Sequence, residues 1–97
     1  MRLLDIGCGD RKRQGALGLD IQVTKDLDII ADARKLPFRD EASDHVYSSH
    51  VLEHFSHKDV LKVLREWIRV LKPSGVIEIQ APDIRAWAPH LLSTSNI

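Results

Sequence analysis

Short apolar runs, each lying beside an acid, set the rhythm of the first third of the chain. Residues 2–6, 17–21 and 27–31 are rich in leucine and isoleucine and end near Asp5, Asp20 and Asp32. Runs of this length suit strands of a parallel sheet. Residues 32–43 hold Pro37 and the charged cluster Arg39-Asp40-Glu41, which predict a polar loop rather than a long helix. A fourth strand is predicted over 45–48 and a fifth over 76–80. In the fifth, Ile77 and Ile79 alternate with Glu78 and Gln80, so one sheet face is expected to be less well covered there. Between these two strands, Val60, Leu61, Val63, Leu64, Trp67, Ile68 and Leu71 recur as one broad helical stripe, which places Trp67 in the core. Ser56 stands ready to cap this helix, with Asp59 three residues on, and Lys72-Pro73-Ser74-Gly75 is expected to stop it. A last helix over 84–92, carrying Trp87 and Leu91, is limited by Pro89.

The first strand breaks at once into the turn Gly7-Cys8-Gly9-Asp10, and the second run repeats the gesture as Gly18-Leu19-Asp20-Ile21. Glycines just past a strand let the backbone approach a ligand more closely than a residue with a Cβ allows. An acid at the end of the next strand sits where ribose hydroxyls need an acceptor. Together they outline a nucleoside-binding crevice. The connections are short: residues 7–16 are ten and residues 22–26 only five, whereas a parallel crossover needs about a dozen. Helices after strands one and two are therefore expected to be short or missing.

The 97 residues make one domain at most, with 14 Lys and Arg balanced by 14 Asp and Glu. That balance points to a small-molecule partner rather than to nucleic acid or an anionic membrane. The lone Cys8 suits a reducing compartment, and no run approaches the roughly 20 apolar residues of a membrane span. A cytoplasmic location is expected.

Four blocks now come into register: Leu4-Asp5-Ile6-Gly7-Cys8-Gly9; Asp32-Ala33 with Leu36-Pro37-Phe38; the segment from Asp44 through Ser49-His50-Val51-Leu52-Glu53-His54; and Val70-Leu71-Lys72-Pro73-Ser74-Gly75. Over residues 3–83 the chain resembles the class I S-adenosylmethionine-dependent methyltransferases. The resemblance implies an α/β, Rossmann-like open parallel sheet of strand order 3-2-1-4-5 with S-adenosylmethionine as cofactor. It implies that Asp5, Gly7 and Gly9 hold the methionine end and that Asp20, with Ile21 beside it, receives the ribose. It further implies that Asp32 faces the adenine amino group next to Ala33, and that the backbone at Ser49 borders the sulfonium. Where the family places a third small residue, this chain has Asp10-Arg11-Lys12-Arg13. The family also continues into two further strands, one antiparallel, so the resemblance marks this chain as a single cofactor-binding domain in fragment or minimal form, without the C-terminal antiparallel hairpin. An open fifth strand and a poorly covered face lead us to expect a homodimer.

His50-Val51-Leu52-Glu53-His54 spells His-x-x-Glu-His, whose His50, Glu53 and His54 would share one face of a helix. No further ligand is placed, so no metal is expected. His50 and His54 are instead read as candidate bases or orienting groups on the acceptor side. Arg11-Lys12-Arg13 reads as a solvated loop or a phosphate grip, and Asp83 as a cap or an acceptor contact on the strand-end rim. Three function classes follow: methyl transfer to an unidentified acceptor by in-line displacement; a non-catalytic cofactor-binding or oligomerisation module; and a nicotinamide oxidoreductase. The last is disfavoured because Lys12 breaks Gly-x-Gly-x-x-Gly.

Overall fold

The computed structural model describes residues 2–80, so Asp83, Trp87 and the helix expected over 84–92 lie outside the described residues. In chain order the elements are β1 (Leu3–Ile6), β2 (Leu17–Asp20), β3 (Ile29–Ile30), β4 (Ser43–Ser49), a single 3-10 turn (Leu52–His54), α1 (His57–Val70) and β5 (Leu71–Gln80). The strands form one sheet in the order β3-β2-β1-β4-β5, every neighbouring pair parallel, as the resemblance implied.

The register divides the sheet into two unlike faces. Leu4 stands beside Leu17 and Val46, and Ile6 beside Leu19 and Ser48, so these side chains share one face. Against that face α1 lays Val60, Val63, Leu64, Trp67 and Val70, all buried, with Ile77 and Ile79 at the cluster's margin. Each large side chain buried this way contributes roughly 1.5–3 kcal/mol. The helix begins where the sequence indicates, with the Ser56 hydroxyl accepting the Asp59 N–H at 3.3 Å.

Its end differs from expectation. Leu71 is already extended, and β5 runs on from it without a separate turn. Ser43 pairs with Leu71 and His45 with Val76, so 72–75 are taken up as an irregularity in the ladder. Pro73 offers no N–H to a partner strand, which suits it to that unpaired stretch.

The opposite face carries Asp5, His45, Tyr47 and Glu78. Among the described residues no helix joins β1 to β2 or β2 to β3, in line with the short crossovers. The loop after β1 crosses this face instead. The Arg13 guanidinium lies 4.5 Å from the Tyr47 ring centroid and donates to Glu78 Oε1 at 2.7 Å. Lys12 Nζ meets Asp28 Oδ2 at 2.8 Å, and the same oxygen accepts the Gly18 N–H at 2.7 Å. Lys12 and Arg13 thus pair with acids of the chain, Asp28 just before β3 and Glu78 in β5, from a loop in which Arg11 and Arg13 stay exposed. No described helix is long and apolar enough to cross a membrane.

Candidate functional site

Because the sheet is parallel, β1, β2 and β4 deliver their carboxyl ends to one rim, and a cavity of about 420 Å³ opens there. That volume falls within the roughly 300–1,000 Å³ typical of small-molecule sites. Gly7 makes the first turn of its wall at φ +72°, and a Cβ there would run into the Val51 side chain. The Gly7 and Cys8 N–H groups both donate to Leu19 O, at 2.7 and 3.0 Å, folding the turn over the end of β2.

Asp20 is fixed by two backbone donors. The Gly9 N–H reaches Oδ2 at 3.0 Å and the Gln22 N–H reaches Oδ1 at 3.0 Å, so the turn after β1 orients the acid of β2. A carboxylate held this way keeps lone pairs for further donors. At the end of β3, Asp32 accepts the Arg34 N–H at 2.8 Å and its Nη2 at 2.8 Å, and the guanidinium holds the carboxyl below its ordinary value.

The segment after Asp32 is gripped from behind by α1. Trp67 Nε1 donates to Ala33 O at 3.0 Å, and the Leu36 N–H donates to Glu66 Oε2 at 2.6 Å. Arg69 closes the group, reaching Glu66 Oε1 at 2.8 Å, Leu36 O at 3.2 Å and Asp40 Oδ1 at 2.9 Å. Arg69 and the Leu36 N–H hold the Glu66 carboxyl below the usual range, against its partial burial.

Past β4, His50 adopts φ +57°, a left-handed conformation that costs a residue with a Cβ about 1 kcal/mol or more. Its N–H donates to Gln80 O at 2.7 Å, and its Nδ1 lies 3.1 Å from Glu53 Oε1. His50 therefore sits before the 3-10 turn, not on a shared helical face with Glu53 and His54. No group of three or more His, Cys, Asp or Glu side chains among the described residues is arranged to hold a metal.

Of the residues singled out from sequence, Gly7, Asp20, Ile21, Asp32, Ala33, Ser49, His50 and His54 line the cavity together. Asp5 and Gly9 do not. Asp5 is buried on the opposite face, where Oδ2 accepts the Arg13 N–H at 2.7 Å; burial raises its pKa against the effect of that hydrogen bond. Sequence reasoning missed Arg34, which lines the cavity, and named Glu53 only within His-x-x-Glu-His, not as the partner of the His50 ring. The signal for Arg34 was present, a cation two residues after Asp32.

Residues 11–79 match the family model described as a methyltransferase domain. The chain belongs to the class I S-adenosylmethionine-dependent methyltransferases. A tRNA (carboxymethyluridine(34)-5-O)-methyltransferase of Arabidopsis thaliana is 33% identical over 96% of this chain and 26% of its own length. The ubiquinone/menaquinone biosynthesis C-methyltransferase UbiE of Laribacter hongkongensis is 43% identical over 62% of this chain and 23% of its own. This chain thus spans about a quarter of the length of these curated relatives. Among solved structures, the PH0226 protein of Pyrococcus horikoshii OT3 superposes with a TM-score of 0.74 at 29% identity, covering 95% of this chain and 54% of that one. A Haloferax volcanii structure titled as a complex between the Trm112 methyltransferase activator and the putative methyltransferase gives a TM-score of 0.63 at 26% identity, over 80% and 43%.

S-adenosylmethionine is the cofactor this methyltransferase family implies, and the donor set suits it. Two carboxylates stand at the ends of adjacent strands, Ile21 and Ala33 add apolar wall beside them, and at Gly7, where Val51 leaves no room for a Cβ, the cavity is bordered by bare backbone.

Proposed function

We propose that this chain is the cofactor-binding core of a methyltransferase that passes a methyl group to its acceptor by in-line displacement. One observation carries the reading: a single cavity gathers Gly7, Asp20, Asp32 and Ser49 together with His50 and His54. Bound there, S-adenosylmethionine supplies an electrophilic methyl group on a sulfonium. Asp20, held by the Gly9 and Gln22 N–H groups, accepts from the ribose hydroxyls, with Ile21 packing beside them. Asp32 accepts from the adenine amino group, and Ala33 borders the ring. Gly7 brings bare backbone to the methionine end, Gly9 acts through the N–H that orients Asp20, and Asp5 anchors the loop beyond that turn through the Arg13 N–H. Ser49 borders the sulfonium, and His50 and His54 face the acceptor. Holding two reactants in line contributes roughly 7–11 kcal/mol to the rate, so few reacting side chains are needed.

For the acceptor we propose a small molecule in the cytoplasm: charge is balanced, and Arg13, Lys12 and Arg34 near the turn and the cavity are each paired with an acid of the chain. The tRNA named for the Arabidopsis relative supports a second reading, a tRNA acceptor. Calorimetric titration with S-adenosylhomocysteine tests the core of the proposal. Wild type binds and Asp20→Ala loses binding; a folded wild type that takes up no ligand refutes it. Radiolabelled methyl transfer to tRNA, against a small-molecule panel, separates the two acceptor readings.

A further inference from the structure

Glu53 lies outside the cavity lining, yet its carboxylate holds a residue of that lining. His50 Nδ1 and Glu53 Oε1 are 3.1 Å apart. An ionised carboxylate only accepts, so a neutral His50 in this pair carries its proton on Nδ1 and leaves Nε2 bare. With Nδ1 turned to Glu53, Nε2 is the ring nitrogen left to the cavity that His50 lines.

The backbone makes this arrangement specific to His50. Its φ of +57° is an uncommon conformation for a residue with a Cβ, and its N–H is tied to Gln80 O at the end of β5. Glu53 belongs to the 3-10 turn that follows, so two separate elements fix the two partners. His54 lines the same cavity, but among the described residues no carboxylate pairs with its ring.

We propose that His50 Nε2 is the base that receives the acceptor's proton, and that Glu53 is its positioning residue. This rests on the methyltransferase reading of the cavity. The acceptor is then protic, an O–H or N–H nucleophile. As its oxygen or nitrogen bonds to the methyl carbon, sulfur keeps the electron pair of the broken S–CH3 bond. The acceptor's proton passes to Nε2, and the resulting imidazolium is stabilised by the Glu53 carboxylate.

The test needs no acceptor. The chain is labelled with heavy nitrogen at histidine, and the ring tautomers are read from proton–nitrogen correlation spectra at a pH that keeps the rings neutral. His50 is expected to show a protonated Nδ1 and a bare Nε2. Glu53→Gln, whose amide oxygen still accepts, keeps that pattern; Glu53→Ala loses it and returns to the Nε2–H form that free histidine prefers. His45 serves as internal control, because its Nε2 faces Glu78 Oε1 at 3.1 Å and it should show the opposite tautomer in every variant. An unchanged His45 signal also reports that each variant is folded. Nε2–H at His50 in the wild type, or no change in Glu53→Ala, overturns the base assignment. Addition of S-adenosylhomocysteine in the same sample should shift the His50 resonances. A wild type that fails to respond overturns the cavity reading and the base assignment with it, whatever the tautomer, so the two failures are distinguishable.

Discussion

Trp67→Phe tests whether α1 stabilises the fold alone or also holds the cavity in shape. Trp67 is wholly buried, and its indole N–H donates to Ala33 O at 3.0 Å. Phenylalanine has about three fewer heavy ring atoms, which at about 0.8 kcal/mol per buried methylene equivalent removes roughly 2 kcal/mol. The lost hydrogen bond adds about 1 kcal/mol. A total near 3 kcal/mol is a large part of the 5–15 kcal/mol typical of a small domain and corresponds to a fall in Tm of roughly 12–24 °C. The effect on ligand follows from Ala33, which lines the cavity. Freed from Trp67, its backbone must be ordered again on binding, at about 1–2 kcal/mol, so affinity for S-adenosylhomocysteine should fall about tenfold. Val63→Ala is the control. Val63 is equally buried and loses a comparable amount of stability, but it does not line the cavity. Urea unfolding and calorimetric titration of both variants decide the matter. Equal loss of affinity in the two, or none in Trp67→Phe, refutes the idea that this hydrogen bond positions the adenine wall.

Two carboxylates should shape the pH dependence of stability with opposite signs. Glu66 is held below its ordinary 4.5 by Arg69, so its contribution is present above that value and lost as pH falls through the depressed one; Glu66→Gln should flatten the acid limb of the urea midpoint. Asp5 is raised above 3.8 by burial, so ionising it costs stability as pH rises through the raised value; Asp5→Asn, whose amide oxygen still accepts the Arg13 N–H, should increase the midpoint at neutral pH, and a decrease would refute that account. A homodimer is expected from the outer strands of the sheet's second face, where Ile30 and Val76 are 60% and 55% exposed; light scattering at micromolar concentration should give twice the 11.0 kDa chain mass, and a monomer mass counts against it.

Where sequence and structure agree, the signal was local, and where they part, it was distant. Strand order, the Ser56 cap and the buried stripe through Trp67 each rest on spacings within one segment or on a recognised block. The boundaries shifted because pairing extends strands beyond their apolar runs: β4 reaches back to Ser43 and β5 to Leu71, while β3 shrinks to Ile29–Ile30. The role of Arg13 could not be read at all, since its partner Glu78 lies 65 residues away. For the site, the glycines and acids at strand ends were legible as types. That Gly9 acts by orienting Asp20, and that Asp5 faces away from the cavity, depended on which face each side chain takes.

That division of faces explains how so short a chain can keep both a core and a site. A helix beneath the second face would need an apolar surface there, yet His45, Tyr47 and Glu78 alternate with the buried Val46 and Ser48 and the partly buried Ile77. This polar alternation matches a β1–β2 connection that holds no helix among the described residues. Arg13 compensates by lying over Tyr47 and pairing with Glu78, while the N–H of the same residue binds Asp5. The loop that replaces the helix is continuous with the Gly7-Cys8-Gly9 turn, whose last N–H orients Asp20. Stability therefore comes mainly from α1 on one face, and the candidate chemistry from turns at the strand ends, with one polar loop linking the uncovered face to the cavity.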